Sequence, residues 1–214
     1  MMKVVEIFKS IDGEGKRAGL PTTFIRLHGC NLSCSYCDSK YACTGHEYTE
    51  MTPEQIIEYV LDLGINSVTV TGGEPLIHDD VNILLEKLNY FGFDVNVETN
   101  GSQNISVHRS PGVWFTVDYK CPTSKMTDKM NPYLFEHQLR SNDVLKFVVG
   151  SEEDMNAALQ VIEKYRPNCA IYFSPVFGFD TKKIVEFMME HELYHCKVQL
   201  QLHKYIFDPN ARGV

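Results

Sequence analysis

Two hydrophobic periods take turns along this chain. Short runs rich in β-branched and aromatic residues mark strands over 3–9, 22–28, 67–71, 93–98, 113–118, 144–149, 169–174 and 197–202, the composition that suits a pleated, half-buried backbone. The first of them alternates only loosely and reads as a short strand or an extended arm. Between several of these runs the apolar residues shift to helical spacing. Ile56, Ile57, Val60 and Leu61 form one apolar face, and Val81, Leu84, Leu85 and Leu88 another. The first of these helices opens on Thr52-Pro53-Glu54-Gln55, with Thr as N-cap, Pro in the first turn and Gln at the capping-box position, and Gly64 ends it. The second spans 80–91 and closes at Gly92. Ser151-Glu152-Glu153-Asp154 opens a third, which stops before Pro167, and 181–191 is a fourth. The rhythm fails after the strand at 93–98, where the link to 113 is short and poorly helical, and 132–140 offers one short helix.

Strands alternating with helices imply a parallel sheet with right-handed crossovers. A closed eightfold barrel takes about 250 residues, and this chain has 214. The expectation is an α/β protein: an incomplete (β/α) barrel with six to seven mostly parallel strands, open on one side, in a single domain over 1–214. Glycine-rich and polar stretches sit just past the strand ends: Gly29-Cys30, Thr71-Gly72-Gly73-Glu74-Pro75, Glu98-Thr99-Asn100-Gly101, Asp118-Tyr119-Lys120, Ser174-Pro175 and Gln201-Leu202-His203-Lys204. Parallel barrels carry their chemistry at that rim, so these stretches should converge in space.

Composition narrows the class of function. Hydrophobic residues make up 43% and charged residues 22%, ordinary for a globular protein. There is no run of 18 apolar residues and no signal-peptide pattern at the start, so neither a membrane span nor secretion is expected. Seven cysteines without a secretory signal point to a reducing cytoplasm rather than a disulfide framework. A net charge of −8 argues against a nucleic-acid partner.

Three of the cysteines, Cys30, Cys34 and Cys37, fall within eight residues as Cys-x-x-x-Cys-x-x-Cys. Thiolates this close select zinc, copper(I) or an iron–sulfur cluster. A 4Fe–4S cluster usually takes four cysteines, so three would leave one iron open to a ligand that is not protein. A structural zinc knuckle or an electron-transfer module is the competing reading, with Cys43 as fourth thiol. Around the triplet, Tyr36 can stack on a purine, and Ser39 is either a loop serine or a magnesium ligand. Arg26 lies on a strand feeding the interior. It either clamps a carboxylate or forms an internal salt bridge with Glu14 or Glu98. His203 is a substrate contact or a capped core histidine. Cys121, Cys169 and Cys196 read as small buried hydrophobes.

The cysteine spacing resembles the cluster motif of the radical S-adenosylmethionine (SAM) superfamily, and Thr71-Gly72-Gly73-Glu74-Pro75 resembles its Gly-Gly-Glu motif. The resemblance is closer to the 7-carboxy-7-deazaguanine synthase family and runs nearly end to end. It is carried by Phe8-Lys9-Ser10-Ile11-Asp12-Gly13-Glu14-Gly15, Phe24-Ile25-Arg26-Leu27-His28-Gly29-Cys30-Asn31-Leu32, Cys37-Asp38-Ser39, Thr71-Gly72-Gly73-Glu74-Pro75-Leu76, Glu98-Thr99-Asn100-Gly101, Leu145-Lys146-Phe147-Val148-Val149 and Gln201-Leu202-His203-Lys204. It implies a lyase that converts 6-carboxy-5,6,7,8-tetrahydropterin to 7-carboxy-7-deazaguanine on the route to queuosine. The ring contracts and loses ammonia after a 5′-deoxyadenosyl radical removes a substrate hydrogen, and SAM is regenerated.

The resemblance further implies a 4Fe–4S cluster on Cys30, Cys34 and Cys37, SAM as cofactor, and Mg2+ on Ser39. Ile11, Asp12, Gly13, Glu14, Arg26, Thr71 and the C-terminal carboxylate of Val214 would meet the pterin. Tyr36, Cys37, Asp38, Gly73, Asp118, Tyr119, Lys120, Ser174, Pro175, Val176 and Phe177 would face SAM. A homodimer and a flavodoxin- or ferredoxin-type electron donor complete the expectation. The sequence departs from the family pattern at Asp12, where many relatives carry Gln, and at Asp118-Tyr119-Lys120, which replaces Ser-Pro-Lys. An activase that installs glycyl radicals is the alternative within the superfamily, but such activases lack the Gly-Glu-Gly turn.

Overall fold

The computed structural model describes residues 1–209 and 211–214. In chain order the elements are β1 (Met2–Ile11), β2 (Pro21–Leu27), α1 (Lys40–Thr44), β3 (Thr49–Met51), α2 (Pro53–Leu63), β4 (Ser67–Gly72), α3 (Val81–Tyr90), β5 (Asp94–Thr99), β6 (Val113–Tyr119), β7 (Val144–Val149), α4 (Glu152–Tyr165), β8 (Ala170–Pro175), α5 (Thr181–Glu190), β9 (Cys196–Val198) and α6 (His203–Ile206). Short 3-10 and π-type turns fill several of the links.

One sheet of nine strands runs in the order β3-β1-β2-β4-β5-β6-β7-β8-β9. From β2 to β9 every neighbouring pair is parallel, and these seven strands are the open barrel the sequence leads one to expect. Two more strands extend it. β1 pairs antiparallel with β2, and β3 antiparallel with β1. The edge strands β3 and β9 do not pair with each other, so the sheet stays open. β7 is buried along its whole length, as a parallel strand covered on both faces must be. Phe115, Phe147 and Phe173 are fully buried on three adjacent strands, and the rings of Phe147 and Phe173 lie 5.5 Å apart.

Local signals account for most of the helices. Thr52 Oγ1 accepts from Gln55 N at 3.3 Å, and Gln55 Oε1 accepts from Thr52 N at 2.9 Å, a capping box worth about 1 kcal/mol. Gly64 ends α2 at φ 71°, a left-handed turn that glycine adopts without strain. α3 buries Val81, Leu84, Leu85 and Leu88. In α2, however, Leu61 stays 45% exposed at the edge of the apolar face.

Elsewhere the chain departs from the pattern. The short helix expected over 132–140 is present from 132 to 138, with π-type geometry over Leu134–Gln138. The link between β5 and β6 holds just a 3-10 turn, Ser106–His108. The last strand ends at Val198 instead of reaching 202. Gln199 is diverted inward there: Gly15 N donates to its Oε1 at 2.6 Å, and its Nε2 donates back to Gly15 O at 2.9 Å. α1 and β3 carry no periodic signal because each is too short to show one.

That glutamine pair belongs to the feature that positions the site. The first part of the loop at 12–20 enters the barrel interior, burying Asp12, Gly13, Gly15 and Arg17, while Ala18, Gly19 and Leu20 stay exposed. At the strands' N-terminal end Arg17, only 6% exposed, binds Asp12 Oδ2 at 2.7 Å, Val68 O at 3.1 Å, Thr69 Oγ1 at 2.8 Å and Asp94 O at 2.6 Å. Its guanidinium also lies 5.3 Å from the Trp114 ring centroid. Across the barrel, Lys146 Nζ donates to Glu14 Oε2 at 3.0 Å and Ser174 Oγ to Glu14 Oε1 at 2.8 Å. At Gly13 a Cβ would lie 2.0 Å from His203 Nδ1, so only glycine lets the loop pass.

Arg17→Met leaves the Asp12 carboxylate buried without its cation. We expect a loss of about 3–5 kcal/mol in urea unfolding of the cluster-free protein, with the near-ultraviolet signal of Trp114 altered.

Candidate active site

The strand ends and the inserted loop enclose one large cavity of about 900 Å³, within the size range of small-molecule sites. Cys30, Cys34 and Cys37 line it together with Ser39, Tyr36, Asp38 and Gly73. So do Ile11, Gly13, Glu14, Arg26, Thr71, Asp118, Lys120, Val176, Phe177 and Val214. The rim stretches that the sequence scatters over two hundred positions therefore meet in one space.

Some expected residues do not reach it. The Asp12 carboxylate turns away from the cavity and accepts from Arg17 Nε and, at 2.9 Å, from Thr69 Oγ1. Burial raises its pKa, against the pull of Arg17. Tyr119 lies between Asp118 and Lys120 on a strand whose side chains alternate. Its ring packs against Phe135 and Phe147 at 5.1 and 5.7 Å. Ser174 is wholly buried and reaches the site only through Glu14, and Pro175 is buried behind it. Arg26 lines the cavity, but its ion-pair partner is Glu6, at 2.7 Å, and neither Glu14 nor Glu98. Glu6 Oε1 also accepts from Tyr41 Oη at 2.8 Å.

The Glu74 carboxylate also faces inward to the protein. It accepts from Leu76 N at 3.1 Å, Thr99 Oγ1 at 2.8 Å and Asn100 N at 2.7 Å, clasping the ends of β4 and β5. Burial nevertheless pushes its pKa up to about 7, against those three bonds. The preceding glycine has a different duty: a Cβ on Gly73 would lie 2.1 Å from Gly29 O, so the strand end can hug the cysteine loop.

The donor set fits an iron–sulfur cluster. All seven cysteines are free, and the triplet is half-buried. Among the described residues no three His, Cys, Asp or Glu side chains are grouped as a single metal ion requires. Cys43 Sγ lies 4.0 Å from Cys37 Sγ. Hydrogen bonding with the neighbouring Cys43 thiol pulls Cys30 and Cys37 below the ordinary thiol value, against burial, toward the thiolate form that ligates metal. Cys34 is raised by burial. Two buried oxygens on cavity residues, Tyr36 Oη and Asp118 Oδ1, have no hydrogen-bond partner among the described residues. Native proteins rarely leave such atoms alone, so they mark where a polar ligand belongs.

Charges alternate around the remaining wall. Lys146 lies 3.0 Å from Glu14 and 3.6 Å from Asp118, which lies 2.9 Å from Lys120. Burial alone would raise Glu14, but Lys146 and Ser174 bring it below the usual carboxylate range. Glu98 is raised by burial, against Lys146 and the 2.7 Å bond from Thr71 Oγ1. Burial likewise opposes ionisation of Asp38, but Lys204 at 3.1 Å holds it low. Ser39 Oγ donates to Asp38 Oδ1 at 3.1 Å. His203 lines the cavity beside Gly13, and burial lowers its pKa. Sequence reasoning gave Lys146 no role. Its signal is a lone charge in the strand Val-Leu-Lys-Phe-Val-Val, where only a paired cation can be buried.

Residues 24–148 match the model of the radical SAM superfamily. The chain is 42% identical to the 7-carboxy-7-deazaguanine synthase of Clostridium acetobutylicum over 99% of both chains. It is 38% identical to that of Methanospirillum hungatei over 96% of this chain and 85% of the relative. Among solved structures, QueE from Escherichia coli superposes with a TM-score of 0.76 at 22% identity, over 93% of each chain. SuiB from Streptococcus suis shares the fold over 80% of this chain, with a TM-score of 0.59 and 14% identity.

Two outcomes follow from the geometry. Glu74 binds its proton more tightly in the folded chain, so its burial costs stability as pH rises from about 4.5 to about 7. Glu74→Gln removes that cost, and its melting temperature relative to wild type should climb across that window and stay level above it. Cys43→Ala should leave the iron content of the reconstituted protein unchanged. Loss of iron would make Cys43 a ligand.

Proposed function

Since the chain belongs to the radical SAM superfamily and, within it, to the 7-carboxy-7-deazaguanine synthase family, we propose that its cavity seats SAM and a carboxypterin side by side. The chain is a radical SAM lyase that converts 6-carboxy-5,6,7,8-tetrahydropterin to 7-carboxy-7-deazaguanine with loss of ammonia, a step toward queuosine. The observation that carries this reading is that the cysteine triplet and the residues suited to a polar, carboxylated heterocycle line the same cavity.

Cys30, Cys34 and Cys37 would hold the 4Fe–4S cluster, which with SAM supplies the radical chemistry. The protein's share is placement and exclusion of water. Gly73 lets SAM approach the strand backbone, and Tyr36 offers it an aromatic face. Asp118 and Lys120 present an acceptor and a cation from the end of β6. Arg26, oriented by Glu6, meets the substrate carboxylate with the rest of its guanidinium fork. Glu14, ionised beside Lys146, accepts from ring N–H groups, and Thr71 and Glu98 offer further polar contacts on the same wall. Ser39 supplies one oxygen to Mg2+, with substrate and water supplying the others. Residues 211–214 line the mouth of the cavity, which favours a small substrate over a protein strand and so disfavours the activase reading.

Electrons come from a flavodoxin- or ferredoxin-type donor, the working unit is a homodimer, and the setting is the cytoplasm. Among the described residues no helix is long and apolar enough to cross a membrane.

Anaerobic reconstitution followed by SAM, Mg2+, reductant and carboxypterin should yield the deazaguanine acid. An intact cluster without that product would overturn the substrate. Arg26→Gln should raise the KM for the pterin by about tenfold or more with little change in SAM affinity. Ser39→Ala should abolish stimulation by Mg2+, measured as rate against metal concentration.

A further inference from the structure

We propose that Lys146 is a positioning residue that couples seating of the pterin to placement of SAM, acting through Glu14 on one side and Asp118 on the other. The inference rests on the proposed function and goes beyond it, because it assigns a linkage between the two ligands to one buried ammonium group.

Lys146 projects from the middle of β7, and its side chain is 9% exposed. Glu14, Lys146, Asp118 and Lys120 form a line of alternating charge, with contacts of 3.0, 3.6 and 2.9 Å. The two ends of the line belong to different ligands. Glu14 rides on the inserted loop between Gly13 and Gly15, and its other oxygen accepts from Ser174 at 2.8 Å. Asp118 and Lys120 stand at the end of β6 and line the same cavity as the cysteine triplet. Asp118 Oδ2 faces both lysines, while Asp118 Oδ1 is buried and has no hydrogen-bond partner among the described residues. That free oxygen needs a donor in the bound state, and the hydroxyl and ammonium groups of SAM are donors.

The coupling follows from how one ammonium is shared. An ammonium has three donors, and Lys146 divides its charge between a near carboxylate on the pterin side and a farther one on the SAM side. When ring N–H groups of the pterin satisfy Glu14, less of the Lys146 charge is committed there. Lys146 then closes toward Asp118, and the carboxylate that meets SAM is fixed in place. Binding linkage is reciprocal, so SAM must tighten the pterin by the same factor. The arrangement makes SAM best placed for cleavage when the pterin is present, which suppresses wasteful cleavage without it.

Binding measurements separate this inference from the function it rests on. Anaerobic calorimetry first asks whether the oxidised, cluster-loaded wild-type enzyme binds the carboxypterin in the presence of Mg2+; failure there sinks the proposed function itself. Oxidised, cluster-loaded enzyme, which cannot turn over, then gives the SAM affinity with and without pterin. We expect pterin to tighten SAM at least about fivefold in wild type. Lys146→Met should weaken pterin binding about tenfold and erase the tightening, and Lys146→Arg should keep it. Asp118→Asn cuts the line on the SAM side alone. It should erase the tightening while leaving pterin affinity within about twofold, and it serves if Lys146→Met does not fold. Under turnover both uncoupled variants should release more 5′-deoxyadenosine per deazaguanine than wild type, a ratio that mere loss of stability does not raise. Tightening that survives in Asp118→Asn, or in folded Lys146→Met, overturns the proposal.

Discussion

A charge taken out of water must meet an opposite charge, and the interior of this barrel is laid out by that demand. Two isolated ions there would each cost several kcal/mol. The structure holds them in alternation instead: Asp12, Arg17 and Asp94 at one end of the strands, and Glu14, Lys146, Asp118 and Lys120 toward the other. Both sets depend on the same inserted loop, which carries Asp12, Glu14 and Arg17 across the sheet. The loop is thus tied to partners toward both ends of the barrel, through Asp12 and Arg17 at one and Glu14 at the other.

Anchoring of that kind suits a site that must control a reactive intermediate. Polar side chains that line the cavity are held by neighbours rather than left to find them. Arg26 is aligned by Glu6, which Tyr41 also holds. Glu74 gives up contact with the cavity to clasp the ends of β4 and β5 beside the cysteine loop. Residues 211–214 line the same cavity as the cysteine triplet. Catalysis here is divided: the cofactors bring the chemistry, and the chain brings placement and a fixed electrostatic field.

Asp12 and Tyr119 show how local geometry sorts a motif into parts that touch the ligand and parts that support it. Both sit inside segments that resemble the family's ligand-facing stretches. Along a strand or a tight loop neighbouring side chains point to opposite sides, so contiguity in a motif does not mean shared contact. Asp12 meets Arg17 behind the cavity, and Tyr119 packs into the aromatic layer with Phe135 and Phe147.

The order of strands and helices, the caps of α2, the inward face of α3 and the cysteine triplet were all legible in the chain, because each rests on contacts between residues a few positions apart. The gathering of rim motifs into one site was also legible, since parallel strands deliver their ends to one side. What the tertiary structure alone decided was pairing over long separations: Arg26 with Glu6 across an antiparallel strand, Lys146 with Glu14 across 132 positions, and Gln199 with Gly15 across 184. The early end of β9, the π-type geometry at 134–138, the strand β3 and the antiparallel pairing of β1 belong to the same class. A buried charge announces in the sequence that it needs a partner, but only the folded backbone determines which opposite charge comes within 3 Å.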